Sequence, residues 1–292
     1  MATEKYKIAI VGSGPAGLSA AGRAAEKGIS HILLETTEHY SNTIFRYQKG
    51  KHVMDEPVVL PLRSPLPFDA GTRENILNEW DKGAEALEIN TRYNAEVSSI
   101  AKQTTNEFSI ETKNGDTILA EKVVLCIGLQ GNIRTLGVPG EDLPFVQYQL
   151  DDPKEYQGEV IVVVGAGDAA IENAVALAKR NTVIIVNRRD EFNRAKEGNL
   201  NLILQAIDKS ELECLYSASP ARVEKHNPKD NQGKPGRLIL NTPEGESQVP
   251  CDRIIGRLGA IPARKFVESC GIQFPNNDPA SVPAVSAQYE SN

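Results

Sequence analysis

Short apolar runs alternate with longer stretches of helical spacing along this chain, and the alternation itself repeats. Ile8-Ala9-Ile10-Val11, bounded by Gly12, reads as a buried strand. From Pro15 to about Glu26, Ala16, Ala20, Ala21, Ala24 and Ala25 line a helix that Gly28 stops. His31-Ile32-Leu33-Leu34 reads as the next strand. A Pro-rich stretch from Glu56 to Phe68, with Pro57, Pro61, Pro65 and Pro67, predicts an irregular loop. A helix is expected from near Thr72, carrying Ile76, Leu77, Trp80, Ala84 and Leu87 on one face. Short strands follow around Ala95–Ile100, Glu107–Thr112 and Thr117–Ala120, with Asn114-Gly115-Asp116 as a turn signal. Val123–Gly128 reads as a buried parallel strand, and Gly137–Gly158 as a linker. The succession then returns: Val160–Val164, a glycine turn, a helix, Val183–Val186, and a second meander over Pro220–Val249 with a hairpin tip at Asn227–Gly236. Cys251–Gly259 echoes Val123–Gly128. The order is unit, meander, unit, meander, a weak internal duplication.

The two strand-to-helix junctions carry the candidate chemistry. The first reads Gly12-Ser13-Gly14-Pro15-Ala16-Gly17, and the second Gly165-Ala166-Gly167-Asp168-Ala169-Ala170. In such turns the first glycine permits the tight bend, the second lets backbone approach a pyrophosphate, and the third lets helix and strand pack closely. The helix N-terminus offers free N–H groups and a positive dipole end. The strand after the first turn ends in Glu35, near the ~20-residue spacing at which a carboxylate meets ribose hydroxyls. The strand after the second ends in Asn187-Arg188-Arg189, with Arg194 close behind. Guanidinium groups pair with a 2′-phosphate that a carboxylate would repel, so this unit reads as selecting NADPH over NADH. The expected fold is α/β: two Rossmann-like three-layer nucleotide-binding domains, the second inserted into the first, each with a β-meander. The expected boundaries are 1–143 with 251–292 for the first domain and 144–250 for the second.

Composition narrows the function classes. With 292 residues the chain has room for two domains, and a net charge of −7 without a basic cluster argues against nucleic acid and anionic membranes as partners. No apolar run approaches the ~20 residues that span a bilayer. The N-terminus, Met1 to Lys7, is polar and leads straight into a strand, so no export signal is read. Four scattered cysteines, Cys126, Cys214, Cys251 and Cys270, fit a reduced, cytoplasmic protein. No metal-ligand spacing connects them with the histidines.

These motifs together resemble the thioredoxin-reductase-like group of flavoproteins with two dinucleotide-binding domains. The matching segments are Gly12–Gly17 with Glu35, Val123–Gly128, Gly137-Val138-Pro139-Gly140-Glu141, Gly165–Glu172 and Asn187–Arg194. The resemblance implies FAD in the first domain, held through Gly12, Gly14, Pro15, Ala16, Gly17 and Glu35, with Val97 near the adenine and Gly128 near the flavin pyrophosphate. It implies NADPH in the second, held through Gly165, Gly167, Asp168, Ala169, Asn187, Arg188, Arg189 and Arg194, with Glu172 facing the nicotinamide side. It also implies rotation of the second domain, with Gly137–Gly158 and Val249–Asp252 as hinges, and a homodimer of the kind common among relatives.

The chain departs from that group in two places. A thioredoxin reductase carries Cys-x-x-Cys just before its NADPH strand, whereas Phe145–Leu150 contains no cysteine. Dithiol exchange needs a nucleophilic thiolate and a resolving partner, so direct thioredoxin reduction is not expected. Cys126 reads as a packing residue. Among relatives without the pair are bacillithiol-disulfide-reductase-type flavoproteins and ferredoxin–NADP reductases of the thioredoxin-reductase type. Ser41–Ile44 and Tyr47–Met54 look more like the former, which implies Thr43 and Tyr47 near the isoalloxazine. Relatives also continue into a Gly-Asp-containing helix start that grips the flavin, whereas this chain reaches Val285–Asn292 and stops, so a C-terminal truncation is expected. The implied function is hydride transfer from NADPH to FAD and onward to a small-molecule or protein electron acceptor. The alternative is an NADPH- and FAD-binding module without turnover of its own. No side chain reads as an acid–base catalyst.

Overall fold

The computed structural model describes residues 4–53, 63–104, 106–129, 131–278 and 281–291. Met54 and the first part of the Pro-rich stretch, with Pro57 and Pro61, lie outside the described residues; Pro65 to Phe68 is irregular, as expected. The chain forms two compact units. One comprises Met1–Phe45, Gly50–Asn132 and Pro262–Asn292; the other comprises Arg46–Lys49 and Ile133–Ile261.

In the first unit, β1 (Glu4–Val11) leads into α1 (Pro15–Glu26) and returns as β2 (His31–Leu34), parallel to β1. Of the five alanines expected to line α1, Ala21 and Ala24 are buried, together with Gly17, Leu18 and Gly22, whereas Ala20 and Ala25 are half-buried and Ala16 is exposed. A short helix α2 (Asn42–Phe45), a two-residue ribbon of β3 (His52–Val53) and β4 (Gly71–Thr72), and α3 (Arg73–Ala86) follow. The Thr72 hydroxyl accepts from the Asn75 N–H and caps α3, which buries Ile76, Trp80 and Ala84. The Trp80 indole N–H finds the Pro67 carbonyl at 2.9 Å, so this large ring is buried without an orphaned donor. β5 (Thr91–Arg92), β6 (Val97–Thr104), β7 (Glu107–Thr112) and β8 (Thr117–Leu125) complete a six-stranded sheet of order β5-β2-β1-β8-β7-β6. Ala9, Val11, Ile32 and Leu34 share one core with Ile100, Ile110 and Ile118 of the meander. Each large side chain so buried contributes roughly 1.5–3 kcal/mol.

The second unit starts its sheet with β9 (Val146–Gln147) and continues through β10 (Val160–Val164), α4 (Asp168–Ala178), β11 (Thr182–Val186), α5 (Glu197–Asp208) and β12 (Glu213–Leu215). The meander of β13 (Ser219–Lys225), β14 (Gly236–Thr242) and β15 (Gly245–Cys251) precedes β16 (Arg253–Gly256). The parallel sheet has order β12-β11-β10-β16-β9, and the meander is a separate three-stranded sheet. Val160–Val164 is apolar throughout because both faces are covered. Ile161 and Val163 meet Ile171, Leu177 and Ile203 of the helices, whereas Val162 and Val164 meet Leu238 and Leu240 of the meander. Helices, parallel sheet and meander are thus three layers, and the fold is the two-unit Rossmann-like α/β arrangement, the second unit inserted into the first. After it, α6 (Arg264–Ser269) returns to the first unit.

Several sequence expectations need correction. Thr117–Ala120 and Val123–Gly128 are not separate strands: β8 runs unbroken through Glu121 and Lys122, antiparallel to β7 over its first half and parallel to β1 along most of its length. It is only half-buried, with Val124 36% exposed. The matching segment of the second unit breaks at Asp252, whose carboxylate accepts the Val160 N–H and the Lys234 ammonium, both at 2.7 Å. β16 then pairs with β10, so the strand that echoes β8 stays in the second unit and the chain returns at Pro262, not 251. The outward crossing likewise falls at Asn132/Ile133 rather than 143/144, because β9 adds an edge strand to β16 inside the expected linker. Val249–Asp252 is therefore interior to one unit and is no hinge between the two. Among the described residues no helix is long and apolar enough to cross a membrane.

Candidate functional site

In the first unit, Gly12 leaves β1 with φ +96°, and its N–H donates to the Leu34 carbonyl at 2.9 Å. A Cβ at Gly12 would lie 2.6 Å from the Cys126 carbonyl oxygen, and one at Gly17 would lie 1.8 Å from the Gly12 carbonyl oxygen. Both positions exclude any larger residue. At Gly14 a Cβ would meet nothing within 4 Å. Gly14 is the N-cap of α1 without a side-chain cap, and Pro15 and Ala16 are exposed beside it. An uncapped N-terminus with open space at its glycine fits a pyrophosphate, since orphan N–H groups and the dipole end both favour an anion.

Glu35 follows β2 as expected, but it is only 6% exposed. The Ser13 N–H and hydroxyl both donate to its Oε2, at 3.0 and 2.5 Å. The Thr37 N–H and hydroxyl both donate to its Oε1, at 2.9 and 3.0 Å. A carboxylate has about four acceptor sites, and these four donors occupy them. A ribose hydroxyl therefore reaches Glu35 only by displacing one of the Ser13 or Thr37 donors. Val97 begins β6 at a register shift, half-buried, and Gly128 takes φ +61° just beyond β8. Thr43 is half-buried on α2. Tyr47 belongs to the second unit. There burial and the Glu172 carboxylate push its phenol up, while Arg257 works the other way.

In the second unit, Gly165 adopts φ +136°, and a Cβ there would lie 2.3 Å from the Arg257 carbonyl oxygen and 3.4 Å from the Ala170 Cβ. Ala170 stands in the third glycine position of this turn, and it fits because Gly165 carries no side chain. Gly167, the N-cap of α4, has no side-chain cap, and a Cβ there would meet nothing within 4 Å. Asp168 opens α4 with its Oδ1 turned toward α5, accepting from the Lys196 N–H at 2.9 Å and the Asn199 amide at 2.8 Å. Ala169 beside it is half-buried.

This turn opens on a groove of about 630 Å³ at the C-terminal edge of the parallel sheet. The volume falls within the range of ordinary cofactor sites. Asn187, Arg188, Arg189 and Arg194 line it together with Gly165, Gly167 and Asp168. Asn187 is 1% exposed and acts as the post of the arginine loop: its amide donates to the Glu191 carbonyl and its oxygen accepts the Arg189 N–H, both at 3.0 Å. Phe192, buried below and packed edge-on against Tyr216, anchors the same loop. Arg188, Arg189 and Arg194 are consequently exposed on a fixed scaffold, and among the described residues none of the three forms an ion pair. Glu172 lies one turn into α4, outside the groove lining, where its Oε1 accepts from Asn199 at 3.2 Å. Arg134 also lines the groove, and sequence reasoning missed it. Its place depends on an isolated bridge between Ile133 and Ala260, a pairing that no local pattern announces.

All four cysteines are free. Burial pushes the Cys126 thiol up to about 11, and the Cys214 and Cys251 thiols up to about 12; that of Cys270 also rises, from the same cause. Among the described residues no cluster of three or more metal-ligating side chains occurs.

Two Rossmann-like units, each with an uncapped glycine turn and one with a cationic groove, define a dinucleotide-binding protein in class. The chain belongs to the pyridine nucleotide-disulphide oxidoreductase family, whose model matches residues 9–292. It is an oxidoreductase, with FAD and NADPH as its cofactors. A ferredoxin–NADP reductase of Ignicoccus hospitalis is 27% identical over 268 residues, covering 91% of this chain and 81% of that protein. The bacillithiol disulfide reductase Bdr of Staphylococcus aureus superposes with a TM-score of 0.86 at 22% identity, covering 99% of this chain and 88% of that one. A Lactococcus lactis thioredoxin reductase has a TM-score of 0.75 at 21% identity, covering 94% and 85%. These solved structures share the fold.

Proposed function

We propose that the first unit holds FAD, the second holds NADPH, and electrons pass to an external acceptor without using a dithiol of the chain. When bound, the two cofactors supply the hydride chemistry; the protein supplies binding, orientation and electrostatics. The amides of Ala16 and Gly17 and the open face of Gly14 receive one pyrophosphate, with Glu35, Val97 and Gly128 around the rest of the flavin nucleotide. The start of α4 at Gly167, Asp168 and Ala169 receives the other, while Arg188, Arg189 and Arg194 bind the 2′-phosphate.

The observation that carries the external acceptor is the state of the cysteines. No two are spaced as a redox pair, and burial holds every thiol protonated near neutral pH. Disulfide exchange proceeds through a thiolate, so none of them is poised for it. The acceptor classes are a low-molecular-weight disulfide and an iron–sulfur electron-transfer protein; the ferredoxin–NADP reductase relative supports the second. The test is NADPH oxidation with each acceptor, by the wild type and by a variant with all four cysteines replaced by Ser. Retained turnover in the variant is expected. Loss of turnover in a variant that still melts like the wild type would overturn the proposal.

A further inference from the structure

The groove of the second unit carries a cation that the arginine loop does not account for. The chain leaves β10 for β11 and β12 on one side, and comes back on the other side as β16. The C-terminal edge between β10 and β16 is thus the point where strand order reverses, the place where open α/β sheets bind their ligands. Arg188, Arg189 and Arg194 follow β11 and occupy one flank of the glycine turn. Arg134 stands on the opposite flank. Its N–H donates to the Gly259 carbonyl at 2.9 Å, just past the end of β16, and the adjacent Ile133–Ala260 bridge fixes the register. Arg134 is exposed, lines the same groove, and forms no ion pair among the described residues.

We propose that Arg134 is a positioning residue for the phosphates shared by NADPH and NADH, gripping the dinucleotide from the flank opposite the 2′-phosphate arginines. This rests on the reading of the groove as the pyridine-nucleotide site. NADPH carries two separated anionic groups, and the flank after β11 serves the one on the adenosine ribose, which NADH lacks. The pyrophosphate belongs at the start of α4, over β10. The Asp168 carboxylate lines that part of the groove and opposes a polyanion. A guanidinium supplied to the same groove from the β16 side offsets that repulsion and can bind a phosphate with two parallel N–H groups. Because both nucleotides carry the pyrophosphate, Arg134 contributes affinity without discriminating between them.

Calorimetric titration of the full chain with NADPH and with NADH tests this, using wild type, Arg134→Ala, Arg134→Lys and Arg188→Ala. Arg134→Ala is expected to weaken both nucleotides by a similar factor, on the order of tenfold, as fits one charged hydrogen-bonding contact on an exposed side chain. Arg134→Lys should recover part of the loss for both, since it keeps the charge without the planar fork. Arg188→Ala should weaken NADPH far more than NADH. The melting temperature of Arg134→Ala should match the wild type, because its backbone bond to Gly259 remains. Unchanged affinity for both nucleotides, or a loss confined to NADPH, would overturn the proposal for Arg134. If the wild type binds neither nucleotide, the groove assignment itself fails, and the proposal with it.

Discussion

Adding one methyl group at Gly165 or at Gly167 should damage this protein in opposite ways, although the two sites are two residues apart. At Gly165 the backbone has φ +136°, and the new Cβ would lie 2.3 Å from the Arg257 carbonyl oxygen and 3.0 Å from its carbon. Holding an L-residue in that conformation costs about 1–3 kcal/mol. Forcing the β16 end aside adds roughly 1–3 kcal/mol of overpacking. At ~3 °C per kcal/mol for a unit of this size, Gly165→Ala should lower the melting temperature by on the order of 10 °C. At Gly167 φ is −93° and nothing lies within 4 Å of the added carbon. The poorer N-cap costs up to ~1 kcal/mol, and the stiffer unfolded chain returns about 0.4–1 kcal/mol. Stability should then stay within about 0.5 kcal/mol of wild type. The methyl would, however, fill the space through which a pyrophosphate approaches the α4 N-terminus, so NADPH affinity should fall at least about tenfold. Thermal unfolding together with NADPH titration separates the two effects. If Gly167→Ala binds NADPH like the wild type, or if both variants melt alike, the assigned roles of these glycines are wrong.

Three further outcomes follow from the same geometry. Replacing Arg188 and Arg189 together by Ala should weaken NADPH by roughly tenfold or more relative to NADH, read by direct titration, because exposed charge-assisted contacts sit at the lower end of their range; equal loss for both nucleotides would show the 2′-phosphate is held elsewhere. Glu35→Gln should destabilise the first unit by about 1–3 kcal/mol in chemical denaturation, since an amide turns one acceptor into a donor facing the Ser13 or Thr37 N–H groups; an unchanged midpoint would refute that network. The buried thiols make stability fall with rising pH: Cys251 stays protonated in the fold to about 12 while the unfolded thiol ionises from about 9, so the unfolded state binds fewer protons across that window. Denaturation midpoints should decline between these values, and a Cys251→Ala variant should decline less; identical slopes would contradict the assignment.

The parts of the fold that were legible in the sequence are those fixed by local physics. The Val160–Val164 run, the alanine-lined α1 and the Thr72 cap of α3 each carry their own periodicity or capping chemistry, and each appears where that chemistry puts it. What escaped depends on partners far along the chain. Glu121 and Lys122 look like a strand break, yet they are an exposed step of β8, which needs only its neighbours β1 and β7 to stay extended. The Ile254-Ile255 pair echoes Val123-Val124, but pairing with β10 decides its sheet, and composition says nothing of that. β9 is two residues long and has no period to read.

The candidate site divides along the same line. Its glycines and arginines are legible because a turn and a charge announce themselves in sequence. The closure of Glu35 by Ser13 and Thr37 and the placing of Arg134 by the Ile133–Ala260 bridge are tertiary facts. Tyr47 lies among the four residues Arg46–Lys49 that pack with the second unit, where the Glu172 and Arg257 charges act on it, a placement that local sequence does not announce. Gln48 accepts from the Asn173 amide, and the Lys49 N–H donates to the Asp151 carbonyl at 2.8 Å, contacts that sequence distance hides.

Anaerobic addition of NADPH to the FAD-loaded chain, followed through the flavin's visible absorbance, probes the pairing of the two nucleotide units most directly. Mole-for-mole bleaching of that band is expected, with the colour returning when an electron acceptor is added, and with far more NADH than NADPH needed for the same effect. A chain that takes up no flavin, or whose flavin band is unmoved by saturating NADPH, would contradict it.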